Sequence, residues 1–240
     1  MNLPIVDPFH TPYKVWKTQK PQMGETLSAA KLFGSDINNE LIAQVNNARE
    51  AAIYMAKVGA DGGLGRFVED ALDHSAAHRH WRNAMPPKAP TVLAEYQKNY
   101  PICDLAKVSE AINQVGCLLS DAQYLFHGGY WNGGDTLVTN RPLSTSLCPQ
   151  VALRNSEHNG KAYEVGAIHL FVLRITNPQT KAFVFRRRGT NLGHESEVLL
   201  AAGARLELRS QTQVHQEYLV AKWGHPEKLV PAFVLEFDVS

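Results

Sequence analysis

The chain has 240 residues, 44% of them hydrophobic and 20% charged, with a formal net charge of +1. That is enough for one large domain, or for one domain with a helical extension. So balanced a charge sets up no strong field, which argues against tight non-specific binding to nucleic acid or to an acidic membrane. The three cysteines, Cys103, Cys117 and Cys148, are odd in number and show no CxxC spacing, so neither a disulfide framework nor a structural zinc site is expected. Met1 to Lys20 lacks the apolar run of a signal peptide. Nowhere does an apolar run approach the roughly 18 residues a membrane-spanning helix needs. The expectation is a soluble protein working in the cytoplasm of a producing or target cell, or exported without a cleaved leader.

The first half reads as helical. Ser35 fits an N-cap, with Leu41, Val45, Ala48, Ala52 and Met55 following at helical spacing. Ala60 to Gly65, with three glycines, is expected to end that helix. A second helix is expected from about Leu64 to Asn83, and a short one at Thr91 to Asn99 after the prolines at 86, 87 and 90. Asp104 fits the N-cap of another, with Leu105, Val108, Ala111, Ile112, Val115 and Leu119 on one face. His74 and His78 would share a helix face near His80, but no further ligands and no HExxH glutamate accompany them, so no metal is expected.

The pattern changes near Ser120. Strand-like runs follow at Gln123–His127, Leu143–Ser146, Ala167–Ile175, Ala182–Arg186, Glu195–Leu200, Arg205–Gln211, Tyr218–Lys222 and Ala232–Val239. One helix-compatible stretch, about Pro149 to Asn159, interrupts them. Strands in succession without long helices favour a mixed or antiparallel sheet over a doubly wound one. The fold class expected is therefore α+β, with residues 1–103 a helical N-terminal region and 104–240 a β core.

Three segments of the β half carry chemistry. In Glu195-Ser196-Glu197, an extended backbone would turn both carboxylates to one face with Cα atoms roughly 6.6 Å apart. Two charges that close divide labour: one stays ionised and stabilises positive charge while the other takes a proton. Ser144-Thr145-Ser146 supplies three hydroxyls able to orient a glutamate or hold a ligand amide. His127-Gly128-Gly129 ends a strand in two glycines, which permit a ligand close to the backbone, while His127 offers a ring nitrogen to a ribose hydroxyl. Taken alone, the three segments read as solvent-facing glutamates, an edge-strand hydroxyl cluster and a hairpin turn with a surface histidine; their combination is what points to chemistry.

In their order and spacing, His127-Gly128, Ser144-Thr145-Ser146 and Glu195-Ser196-Glu197-Val198-Leu199-Leu200, with Gly203 soon after, resemble the ADP-ribosyltransferase superfamily, in particular its arginine-directed branch. The resemblance covers about residues 104 to 240. It implies a mixed β-sandwich core of that type, NAD as co-substrate and no metal. It also implies transfer of ADP-ribose to a protein arginine. Glu197 matches the catalytic glutamate, Glu195 the glutamate that engages the acceptor guanidinium, and Ser144 the serine that orients Glu197. His127, Gly128, Gly129, Ser144 and Thr145 are the implied cofactor contacts, and the stretch from Arg186 to His194 the acceptor loop. One position departs: the arginine-directed branch usually carries Arg where this chain has His127, a residue shared with a sister branch. A neutral histidine cannot grip a diphosphate bidentately, which hands that task to another arginine, Arg141 or Arg154. By analogy the chain would be a bacterial toxin, an effector or a phage enzyme, with a host target or an immunity protein as partner. Other outcomes fit the same residues. One is NAD hydrolysis, another transfer to a non-arginine, nucleic-acid or small-molecule acceptor, and a third a catalytically inactive binding module.

Overall fold

The computed structural model describes residues 2–18, 39–186 and 196–240. The fold is α+β. The chain opens with β1 (Asn2–Leu3), β2 (Tyr13–Thr18) and β3 (Asn39–Val45), then runs through five helices: α1 (Ala48–Val58), α2 (Gly62–His74), α3 (Ala76–Ala84), α4 (Thr91–Asn99) and α5 (Leu105–Val115). Each of α1, α2, α3 and α5 starts on a side-chain cap: Asn47, Asp61, Ser75 and Asp104 accept bonds from backbone N–H groups of the first turn. Strands β4 (Cys117–Leu119), β5 (Tyr124–Gly129), β6 (Thr136–Val138) and β7 (Leu143–Ser146) follow, then α6 (Pro149–Glu157) and the short α7 (Lys161–Val165). The chain closes with β8 (Ile168–Ile175), β9 (Lys181–Val184), β10 (Glu197–Leu200), β11 (Arg205–Val220) and β12 (Lys228–Val239).

Ten strands join in the order β1-β4-β9-β10-β7-β5-β8-β12-β11-β6. The sheet is mixed: β1–β4 and β12–β8 are parallel, and the other pairs antiparallel. Its narrowest seam lies between β5 and β7, which share one paired position, Phe126 with Ser146, whereas β5 pairs with β8 at six. A sheet that opens at its middle leaves backbone groups there for side chains or ligands to meet. The buried Ala51, Ala52 and Met55 of α1 and Ala152 and Leu153 of α6 share a core with β8 and β12; Val108 and Ile112 of α5 pack by β9 and β10. Central β8 is buried at seven of its eight positions, as a strand covered on both faces must be.

Several elements differ from the sequence expectation. Leu41 and Val45 lie in β3, paired with β2, and the helix begins only at Ala48. Apolar residues four apart fit both periods over so short a run, and pairing with a distant strand decides between them. Gly59, with φ of +80°, ends α1, while Gly62, Gly63 and Gly65 open α2 instead of terminating its predecessor. At Gly63 the absent Cβ matters: it would fall 2.6 Å from the Tyr13 hydroxyl. The helix expected to about Asn83 breaks at Ser75, which ends α2 and caps α3. Arg205–Gln211 and the start of Tyr218–Lys222 belong to one long bulged strand that ends at Val220, and the short β4 and β6 have no counterpart among the expected strands. Ser35 lies outside the described residues. No described helix is long and apolar enough to cross a membrane.

Candidate active site

Strands β7 and β10 pair so that Glu197 stands opposite Ser146 and Leu199 opposite Ser144. Ser144 is thus the diagonal neighbour of Glu197 on one face, within reach of a long side chain. Its hydroxyl donates to Glu197 Oε1 at 2.6 Å. From the helical side, Gln97 on α4 donates through Nε2 to Glu197 Oε2 at 2.9 Å. A carboxylate only 4% exposed therefore holds a neutral donor on each oxygen. Neighbouring Tyr96 is buried, and its hydroxyl is held well above the ordinary phenol range, first by desolvation and then by the negative charge of Glu197. Gln97 escapes sequence reasoning because no motif marks it; its partner lies 100 residues downstream.

His127 sits at the seam between β5 and β7. Where the ladder opens, its Nδ1 meets the Ser144 carbonyl at 2.7 Å. The ring keeps some open surface, but it packs against Phe171 and Gly129, and loss of hydration pushes its pKa down to about 4. The Ser144 carbonyl opposes that fall, while the positive charges of Lys161 and Arg141 deepen it. At neutral pH the imidazole is uncharged; with Nδ1–H donating to the carbonyl, Nε2 is left as an acceptor. The two glycines after it have packing reasons of their own. A Cβ on Gly128 would lie 1.7 Å from the Ala152 carbonyl of α6, and one on Gly129 would lie 2.5 Å from His127 Nε2.

Beside His127 runs a groove of about 930 Å³, near the upper end of the ~300–1,000 Å³ usual for small-molecule and cofactor sites. It is walled by the end of β5, by the segment from Tyr130 to Leu143 and by α7. Gly128, Gly129 and Arg141 line it, as does Lys161, which no sequence motif marks. Arg154 is exposed on α6 and is not among the lining residues. Tyr100, at the end of α4, and Tyr130 add aromatic surface. Glu197 is not itself in the groove wall; it connects to it through Ser144 and His127.

One expected member is placed differently. Thr145 faces away from Ser144: its buried hydroxyl donates to the Val198 carbonyl at 2.5 Å, so it ties β7 to β10. Ser196, the residue before Glu197, has φ of +47°, so the backbone at that position is not extended. Glu195, with the rest of residues 187–195, lies outside the described residues; of the expected acceptor loop only Arg186 is described, and its guanidinium donates to the Arg82 carbonyl at 2.9 Å. His74 and His78 turn ring nitrogens to the carbonyls of Asp70 and Leu72, and the described residues contain no group of three side chains placed to hold a metal.

No protein-family model and no curated protein matches the chain. Among solved structures, the likeness is to ADP-ribosyltransferases. The enzyme Vis of Vibrio splendidus aligns over 78% of this chain and 90% of its own at 16% identity, with a TM-score of 0.45. Plx2a, a toxin of Paenibacillus larvae, aligns over 68% of this chain and 90% of its own at 14% identity and a TM-score of 0.40. C3larvin, also from Paenibacillus larvae, aligns over 70% and 96% at 12% identity and a TM-score of 0.38.

Proposed function

We propose that this chain is a mono-ADP-ribosyltransferase that cleaves NAD between nicotinamide and ribose and passes ADP-ribose to a protein arginine. The observation that carries the reading is the buried Glu197 carboxylate, oriented by Ser144 and Gln97, with Ser144 in turn bonded through its carbonyl to a neutral His127 that lines a large groove. As the C1′–N bond breaks, its electron pair leaves with neutral nicotinamide and positive charge develops on the ribose, much as in glycoside hydrolysis. A fixed carboxylate in a partly dry site stabilises that charge, an effect commonly worth several kcal/mol. Glu197 receives the 2′-hydroxyl of that ribose, His127 Nε2 accepts from a ribose hydroxyl, and the cations Arg141 and Lys161 face the diphosphate. The acceptor nitrogen then attacks C1′ at about 3 Å and gives its proton to Glu195.

The acceptor step is tested with labelled NAD, cell lysate and, as a small guanidine, agmatine. Label on protein and on agmatine is the expected result, and Glu195→Gln should lose both while still releasing free ADP-ribose. Undiminished arginine labelling by that variant would contradict the role given to Glu195. Free ADP-ribose as the sole product of the wild-type chain would make it a glycohydrolase.

A further inference from the structure

The contact between Gln97 and Glu197 links the helical half of the chain to the catalytic carboxylate. Gln97 lies on α4, and α4 is held by Leu93 and Tyr96, both buried in the core, so its amide is presented from a fixed support. Ser144 arrives from β7 on the opposite carboxylate oxygen. The terminal torsion of a carboxyl group is broad and roughly two-fold, so each donor added narrows its orientation. Two donors from separate elements, one on each oxygen, restrain the plane of the group. An ionised carboxylate accepts at about four sites, so these two donors do not by themselves exclude a ribose hydroxyl.

We infer that Gln97 is a positioning residue for the NAD-cleaving step, acting through Glu197, and that the N-terminal helical region therefore completes the active site. The inference rests on the reading of Glu197 given above. It treats the amide as a clamp that stays in place during the reaction, not as a plug that substrate must displace.

The substitution Gln97→Glu separates the possibilities, because the swap is isosteric and turns a donor into a titratable group. Two carboxyls at hydrogen-bond distance share one proton, and the singly protonated pair restores a donor to Glu197. Gln97→Glu should therefore turn over NAD at acidic pH and lose activity as pH rises to about 8, a limb absent from the wild-type profile over roughly pH 5 to 8. Gln97→Ala should lower kcat about 10-fold, the scale of one hydrogen bond to a charged group, with KM for NAD nearly unchanged. Recovery at low pH also shows that the Gln97→Glu protein is folded. A Gln97→Glu profile parallel to the wild type would overturn the inference, as would Gln97→Ala that is faster than wild type or that shifts only the melting temperature. Absence of NAD cleavage by the wild-type chain would instead overturn the reading of Glu197, and this inference with it.

Discussion

At the scale of single residues, the site combines groups that the sequence marks with one that it hides. Ser144, Glu197 and His127 are legible because short motifs carry them, and the β7–β10 register brings the first two together. Gln97 is not, because its only signal is a contact made in the folded state. Gly128 is legible as a glycine but not for its packing reason, the approach of the α6 backbone. His127 has a consequence for acid stability. Its folded pKa of about 4 lies below the unfolded value of about 6.5, so the folded state favours the neutral ring. That contribution is complete above about pH 6.5 and is lost as pH falls toward about 4; integrated over the window it comes to about 3 kcal/mol. Chemical denaturation at a series of pH values should show the wild type losing stability across that range. His127→Gln should lose less, and equal slopes for the two proteins would contradict a desolvated neutral imidazole.

At the scale of elements, long-range partners decide what local pattern leaves open. Helix α2 illustrates it. Three glycines near its start read as a terminator, yet Asp61 caps the helix by accepting from Gly63 N–H and also takes the hydroxyls of Tyr13 and Tyr54. Those tyrosines come from β2 and α1, and neither partnership is written in the local sequence. Asp61→Ala removes the cap and strands two half-buried phenols, so thermal or urea unfolding should report a loss of about 2 kcal/mol. A change below about 0.5 kcal/mol would mean that the cluster is solvated. Strand β11 is hard to read through its middle for the opposite reason. Thr212, Gln213, Gln216 and Glu217 are polar and exposed, yet the backbone continues to pair with β12 across bulges.

At the scale of the whole molecule, the division at residue 103 separates segments that the fold joins. Leu3 in β1 pairs with Leu119 in β4. Buried Gln123 accepts from Val6 N–H at 2.7 Å and donates to the Val6 carbonyl at 2.9 Å, replacing a backbone partner for the N-terminal segment. Gln97 reaches Glu197 across the same boundary. The α+β class is legible from periodicity, since the switch near Ser120 is a real change of element type. That both halves share a sheet edge and the Gln97–Glu197 contact is not, because it depends on long-range partners. A fragment spanning 104–240 is therefore expected to lack a cooperative unfolding transition; a sharp transition matching the full chain would show that the β half folds alone.

The central claim is that Glu197 carries the cleavage of the nicotinamide–ribose bond. Release of nicotinamide from NAD, followed by chromatography for the wild-type chain and for Glu197→Gln of equal melting temperature, measures it without reference to any acceptor. Steady release by the wild type and a drop of at least about 100-fold in the variant is the predicted result, in line with loss of transition-state charge stabilisation. Comparable release by both proteins would contradict it.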